Sequence, residues 1–242
     1  MPLREMISRR NLPHWFVPTA WHFVTYRLAG TIPNVVLHQL REARDIGLKK
    51  AKECGEAAPA RREALHKSFF AAYDRYLDHH VEADWLSRPK IAAMIRENLY
   101  HHHGHKYHLL AYSIMPNHVH VLLRAIGSET MENQVWLPAD ANSVMPDEAP
   151  DSTGPLTVIM HSVKSYTANK ANELLQRPGQ FWQHESYDHW VRDEEELERI
   201  VTYIAWNPVK ANLVKKPHEW VFSSAHDRFL HDGEEEGYLL LA

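Results

Sequence analysis

Residues His108 to Leu123 constrain the fold more than any other stretch. Two apolar runs, His108 to Met115 and His118 to Leu123, meet at Pro116-Asn117. Proline cannot donate to a strand ladder and asparagine favours turns, so the simplest conformation is two strands joined by a tight turn.

Around this hairpin the texture alternates. Trp21 to Leu28 is dense in aromatic and β-branched residues and reads as a strand, bounded by Gly30 and Pro33. From Asn34 to about Tyr100, apolar residues recur at helical spacing among Glu, Lys, Arg and Ala. Gly55 to Pro59 breaks this stretch into two helices, and Pro89 stands where a further helix, Lys90 to Tyr100, begins. Pro155 opens a helix to about Leu175, and Trp182 to Val191 is a short aromatic-rich strand or loop. Asp193 caps the last clear helix, with Glu196 three residues on in a capping-box pattern. Leu197, Ile200, Val201 and Ile204 form its buried stripe, and Pro208 is expected to end it. This order predicts an α+β sandwich, with an antiparallel sheet and helices on one face. The 242 residues are expected to form a single domain over 1–242. A helical insertion spans about 34–90, an acidic loop about 126–154 and an acidic tail about 230–242.

With 44% hydrophobic residues the chain can build a sizeable core, yet no apolar run nears the roughly 18 residues of a membrane span. The N-terminus has no continuous apolar stretch, and the single cysteine, Cys54, has no internal disulfide partner. Both fit a cytoplasmic setting. The net charge of −4 argues against nucleic acid until its distribution is considered. Ala125 to Pro155 holds six acids and no Lys or Arg, and the tail from Leu230 adds four more, so the remaining body carries +6. A basic body with acidic appendages is compatible with DNA binding.

Two short motifs carry the chemistry. In His118-Val119-His120, alternation along a strand puts both imidazoles on one face, roughly 6–7 Å apart along the backbone. Such a pair can hold one divalent ion or serve as hydrogen-bonded strand histidines; as a metal site it needs a third ligand from elsewhere. An open coordination shell is what phosphodiester chemistry needs. In Tyr203-Ile204-Ala205-Trp206-Asn207-Pro208, Tyr203 and Asn207 lie four apart, on one helix face. A phenol there can attack phosphorus, and an amide oxygen can complete a metal shell; packing is the alternative for both.

Taken together, the ordered motifs are far more specific. The stretch Met115 to Leu123 is followed by Lys164-Ser165-Tyr166-Thr167, Phe181-Trp182-Gln183, Tyr187-Asp188-His189, Val191-Arg192-Asp193, Tyr203-Ile204 and Asn207-Pro208-Val209-Lys210. With Trp21 to Leu28 and the late Trp220 to Ser224, this series resembles the REP-associated tyrosine transposases, relatives of the single-tyrosine HUH transposases of small insertion sequences. The resemblance covers most of the chain outside the insertion and the acidic loop. It implies a ferredoxin-like sandwich of the HUH endonuclease kind, with a central antiparallel sheet and the histidines on a central strand. It implies Mg²⁺ or Mn²⁺ held by His118 and His120, Asn207 at the third-ligand position, and Tyr203 as nucleophile. The substrate would be single-stranded DNA folded into palindromic, REP-like hairpins, cleaved through a 5′-phosphotyrosine and rejoined by a 3′-hydroxyl.

Other residues carry less. Lys164, Lys170, Arg192, His189 and Arg27 are candidate DNA contacts, with His189 and Arg192 also placed to support the histidines. Tyr187 and Tyr166 rank below Tyr203 as nucleophiles, because neither has an asparagine four residues on. Trp182 and Trp206 can stack on bases, but core packing suits them better, and the His101 to His108 tract reads as a solvated turn. Two rival functions remain at this level: a catalytically silent hairpin-binding regulator, and a phosphodiesterase that uses water. Monomer and homodimer are both open, as is whether Tyr203 acts in cis or in trans. The insertion departs from compact members of the family and can add DNA contacts, cover the site or mediate assembly.

Overall fold

The computed structural model describes residues 6–9, 13–17, 19–53, 58–79, 83–126 and 155–232. Cys54, nearly all of the acidic loop and most of the acidic tail lie outside the described residues. A small antiparallel pair, β1 (Met6–Arg9) and β2 (Pro13–Phe16), precedes the main sheet; the sequence did not announce it. Then follow β3 (His22–Arg27), α1 (Asn34–Glu53), α2 (Ala58–His79), α3 (Pro89–His102), β4 (Tyr107–Ile114) and β5 (His118–Ala125). The chain continues with α4 (Pro155–Leu175), β6 (Tyr187–Trp190), α5 (Glu194–Lys210) and α6 (Ser224–Asp232).

The four long-range strands form one sheet in the order β4-β5-β3-β6, every neighbouring pair antiparallel. With helices between β3 and β4 and between β5 and β6, this is the βαββαβ ferredoxin-like topology. The two inner strands are buried along nearly their whole length. Alternation then decides which side chain meets which layer. Val24, Tyr26, Val119, Val121 and Leu123 join the core built with Ile91, Ile95 and Leu99 of α3 and Ile159, Met160 and Val163 of α4. Phe23 and Leu122 face the other way, against Val201 and Ile204 of α5.

Helices therefore cover both faces, not one. The single-sided expectation failed because a strand flanked by two apolar layers loses the polar alternation that would mark an open face. The insertion is a helical hairpin, α1 against α2, with its own core of Ile32, Leu37, Phe69, Tyr73 and Leu77. It docks on the α5 side: Phe70 meets Phe23 edge-on at 5.3 Å and stacks on Tyr187 at 4.4 Å between ring centroids. Arg41 of α1 pairs with Glu185 at 2.8 Å. Pro89 sits in the first turn of α3, as expected. Pro208 does not end α5: the helix runs on to Lys210, because a proline in the last turn forfeits a single intrahelical bond and its ring is tolerated there.

His22 gives the fold a pH dependence. Its ring stacks on Phe16 at 5.2 Å and its Nε2 accepts from the Val17 N–H. Burial lowers it from the ordinary 6.5 to about 4, against the weaker opposing pull of Asp188. Between those values the unfolded chain binds a proton that the folded chain refuses, so stability falls as pH drops through this window. The slope for this group is about 1.4 kcal/mol per pH unit. His22→Phe, which keeps the stack, is expected to remove about one proton's slope from the urea midpoint measured between pH 6.5 and pH 4.

Candidate active site

The two sequence motifs converge. β5 presents His118 and His120 on the α5 face, with their Nε2 atoms 3.0 Å apart. Each imidazole is held from behind. Asn117 Nδ2 donates to the Leu77 carbonyl at 2.9 Å, which turns its Oδ1 toward His118; the His118 Nδ1–H then donates to that oxygen at 2.6 Å. This leaves the His118 Nε2 lone pair facing the site. His120 Nδ1 is paired with Thr25 Oγ1 at 2.7 Å, on the neighbouring strand β3. Such partners fix ring orientation, as they do behind metal-ligating histidines generally. Burial first, and then the adjacent His120, lower His118 to about 3, so it stands neutral at ordinary pH.

Opposite stands Tyr203 of α5. Its ring meets that of His120 at 5.5 Å and that of Phe23 at 5.9 Å. Asn207, one turn on, donates from Nδ2 to the Tyr203 hydroxyl at 3.3 Å, while its Oδ1 is buried without a hydrogen-bond partner.

The residue that sequence reasoning missed is Asp74, which α2 of the insertion lays into the centre of this group. Its Oδ2 accepts a short hydrogen bond from the Tyr203 hydroxyl. Its Oδ1 lies 3.3 Å from His120 Nε2 and 4.0 Å from His118 Nε2. Asp74, His118 and His120 are the group of His, Cys and acidic side chains, among the described residues, able to hold a metal ion. Asp78, one turn along α2, and Lys210 complete the surroundings, with Lys210 Nζ 3.4 Å from Asp74 Oδ2 and 3.7 Å from Asp78 Oδ2. Burial would raise the Asp74 carboxyl, but the two histidines and the Tyr203 hydroxyl outweigh it and hold the group well below the usual carboxylate range. Burial and then Asp74 push Asp78 up to about 6. Burial, followed by the Asp74 charge, pushes the Tyr203 phenol well above its ordinary value. No local pattern marks Asp74: it sits in a helix rich in charged residues, and only docking of α2 selects it.

The sequence-predicted DNA contacts are placed differently from one another. Arg27 is a correction. It is 2% exposed, donating from Nε to the Tyr73 hydroxyl at 3.0 Å and from Nη1 to Thr31 at 3.1 Å, so it anchors α2 from within and offers no surface to a phosphate. His189 and Arg192 both bind Glu196, at 3.1 and 2.9 Å. The Asp193 cap accepts from the Glu196 N–H at 2.7 Å, while the Glu196 carboxylate takes the Arg192 N–H in place of a full capping box. Lys164 donates to the carbonyls of Gln183 and His184 at 2.7 and 2.8 Å. Lys170 is exposed and pairs with Glu173 at 2.9 Å. Tyr187 is stacked on Phe70, Tyr166 is exposed on α4 away from the histidines' face, and Trp182 is buried with its Nε1 on Thr167. Trp206 is 43% exposed, unlike the core position expected for it.

Sheet and site together define a ferredoxin-like α+β protein in which a strand-borne histidine pair, a carboxylate and a helix-borne tyrosine share one buried centre. Among proteins of known name, the chain is similar to a Haemophilus influenzae protein that carries the name REP-associated tyrosine transposase. The two are 26% identical over 117 residues, 48% of this chain and 58% of that protein. The chain thus matches a little over half the length of this relative. A solved structure of a REP-associated tyrosine transposase bound to a REP hairpin superposes with a TM-score of 0.48 at 13% identity, covering 93% of this chain and 86% of that one. No family model matches the chain. No helix among the described residues is long and apolar enough to cross a membrane.

Proposed function

We propose that the chain is a metal-dependent single-stranded DNA endonuclease and strand transferase that cleaves palindromic, REP-like hairpins through a phosphotyrosine at Tyr203. One observation carries this reading: the Tyr203 hydroxyl and the His118–His120 pair, 83 residues apart, meet in one cluster through Asp74. The similarity to a transposase of that name supports the same substrate class.

The residues fit a divalent cation, Mg²⁺ or Mn²⁺. Two neutral-capable imidazoles with oriented Nδ1 atoms and the buried Asn207 Oδ1, which has no other partner, form a nitrogen and oxygen donor set suited to such ions. When bound, the cation polarises a phosphodiester and offsets the charge that develops on it. The chain supplies the rest. Tyr203 Oη gives up its proton and forms the bond to phosphorus, and the 3′ oxygen leaves with its electron pair and takes up one proton, becoming a 3′-hydroxyl. The 5′ end stays on the tyrosine, so phosphodiester energy is retained and a 3′-hydroxyl can reverse the step. Asn207, bonded to the Tyr203 hydroxyl, aims it. Tyrosine and histidines meet within one chain, which supports cleavage in cis. The α1–α2 hairpin packs over the cluster and lays Asp74 into it.

The test is to incubate the protein with end-labelled single-stranded hairpin DNA and Mn²⁺ and resolve the products under denaturing conditions. A protein–DNA adduct is expected, with the nucleotide mapped by mass spectrometry to Tyr203. Hairpin binding without any adduct would replace the enzyme with a binding protein. Cleavage without an adduct would mean that water, not Tyr203, attacks.

A further inference from the structure

The insertion is the largest departure of this chain from the compact pattern, and it places two carboxylates, Asp74 and Asp78, against the histidines' face. We infer that Asp74 is a further, anionic ligand of the cation held by His118, His120 and Asn207, which makes the α1–α2 hairpin a working part of the catalytic centre. The inference rests on the cation site proposed above and adds to it a ligand that neither sequence motif contains.

Three observations carry it. The first is spacing. Adjacent ligands around a six-coordinate ion at about 2.1 Å stand about 3 Å apart. His118 Nε2, His120 Nε2 and Asp74 Oδ1 are separated by 3.0, 3.3 and 4.0 Å, in the range of one shared coordination sphere. The second is an unfinished polar network. Asp74 Oδ1 and Asn207 Oδ1 are both buried without a well-formed hydrogen bond, and the first has His120 Nε2 near it, at 3.3 Å. A buried carboxylate oxygen left so costs free energy unless something positive binds it. Its sister oxygen is already used by Tyr203 and Lys210, so Oδ1 is the one that faces the imidazoles, 3.3 Å from His120 Nε2. The third is charge. Asp74 and Asp78 are both buried, and Lys210, the cation set against them, is half exposed, so the centre carries more buried negative charge than its lysine offsets.

The hairpin is also built to hold this carboxylate in register. Arg27 of β3 grips Tyr73, the residue before Asp74, and Asn117 of the β4–β5 turn grips the carbonyl of Leu77 one turn later. The same Asn117 orients His118, so strand and insertion are aligned through one side chain.

Mn²⁺ binding to the full chain, read by loss of the free-ion EPR signal, tests this without any catalytic assay. His118→Ala, Asp74→Ala, Asp74→Asn and Asn207→Ala are compared, with near-UV circular dichroism as the check on folding. Asp74→Ala is expected to weaken Mn²⁺ binding at least about tenfold, and Asn207→Ala, which removes a neutral donor, by less. Asp74→Asn, which keeps the shape and an acceptor for Tyr203, carries the test if the alanine variant does not fold. A folded Asp74 variant with Mn²⁺ affinity within twofold of the parent, while His118→Ala weakens it, overturns the inference and leaves the histidine site standing. Affinity unchanged in His118→Ala as well removes the cation from this pair, and the proposed mechanism goes with it.

Discussion

In Tyr203→Phe, both the covalent adduct and strand cleavage are expected to fall below detection, a loss of at least about 10⁴-fold. The substitution removes one oxygen and leaves the ring, whose edge contacts with Phe23 and Phe70, each at 5.9 Å, hold that part of α5 against the sheet. The rival tyrosines are placed for other roles. Tyr187 is committed to packing against Phe70, and Tyr166 lies on α4. Asp74 loses its tyrosine donor but keeps Lys210 at 3.4 Å, so the variant should stay folded. Hairpin binding, measured by gel shift, should persist within a few-fold. Residual adduct in this variant would show that another residue is the nucleophile.

Glu196→Ala is expected to lower the free energy of unfolding at pH 7 by about 3 kcal/mol, because it strips a buried carboxylate from several donors at once. The melting temperature should drop by roughly 5–10 °C for a chain of this size. Glu196 is 3% exposed and binds His189, the Arg192 backbone and the Arg192 guanidinium. It thereby latches β6 to the start of α5, the helix that carries Tyr203. Burial alone would raise this carboxyl; the hydrogen bonds from His189 and Arg192 outweigh it and hold the group well below its ordinary 4.5. With the folded value depressed, the contribution is fully present above the ordinary 4.5 and is lost as pH falls below it. The gap between parent and variant, read by thermal melts, should therefore narrow from pH 7 toward pH 3. A gap that stays constant would mean that the carboxylate charge contributes nothing there.

Arg192 and His189 show why motifs and roles separate. Both stand in a segment that matches the transposase pattern, and both are held by Glu196 in this chain. Their chemistry suits a phosphate equally well, and the sequence offers no means of telling a cation that faces solvent from one that faces a buried acid. Arg27 is the sharper case. Its strand position puts it on the same face as Thr25 and Phe23, but whether that face meets DNA or a helix depends on the insertion docking there.

Local geometry was legible from the letters alone. Alternation along β5 puts His118 and His120 on one face, the helical period aligns Tyr203 with Asn207, and Asp193 marks the start of α5. These are consequences of backbone periods a few residues long, so a few residues suffice to read them. That the two motifs meet, that the histidines' face is covered, and that Asp74 completes their centre were decided only when α2 packed across the sheet. Such contacts join residues 40 or more positions apart, and they depend on which apolar and polar surfaces match in three dimensions, a property no local window contains.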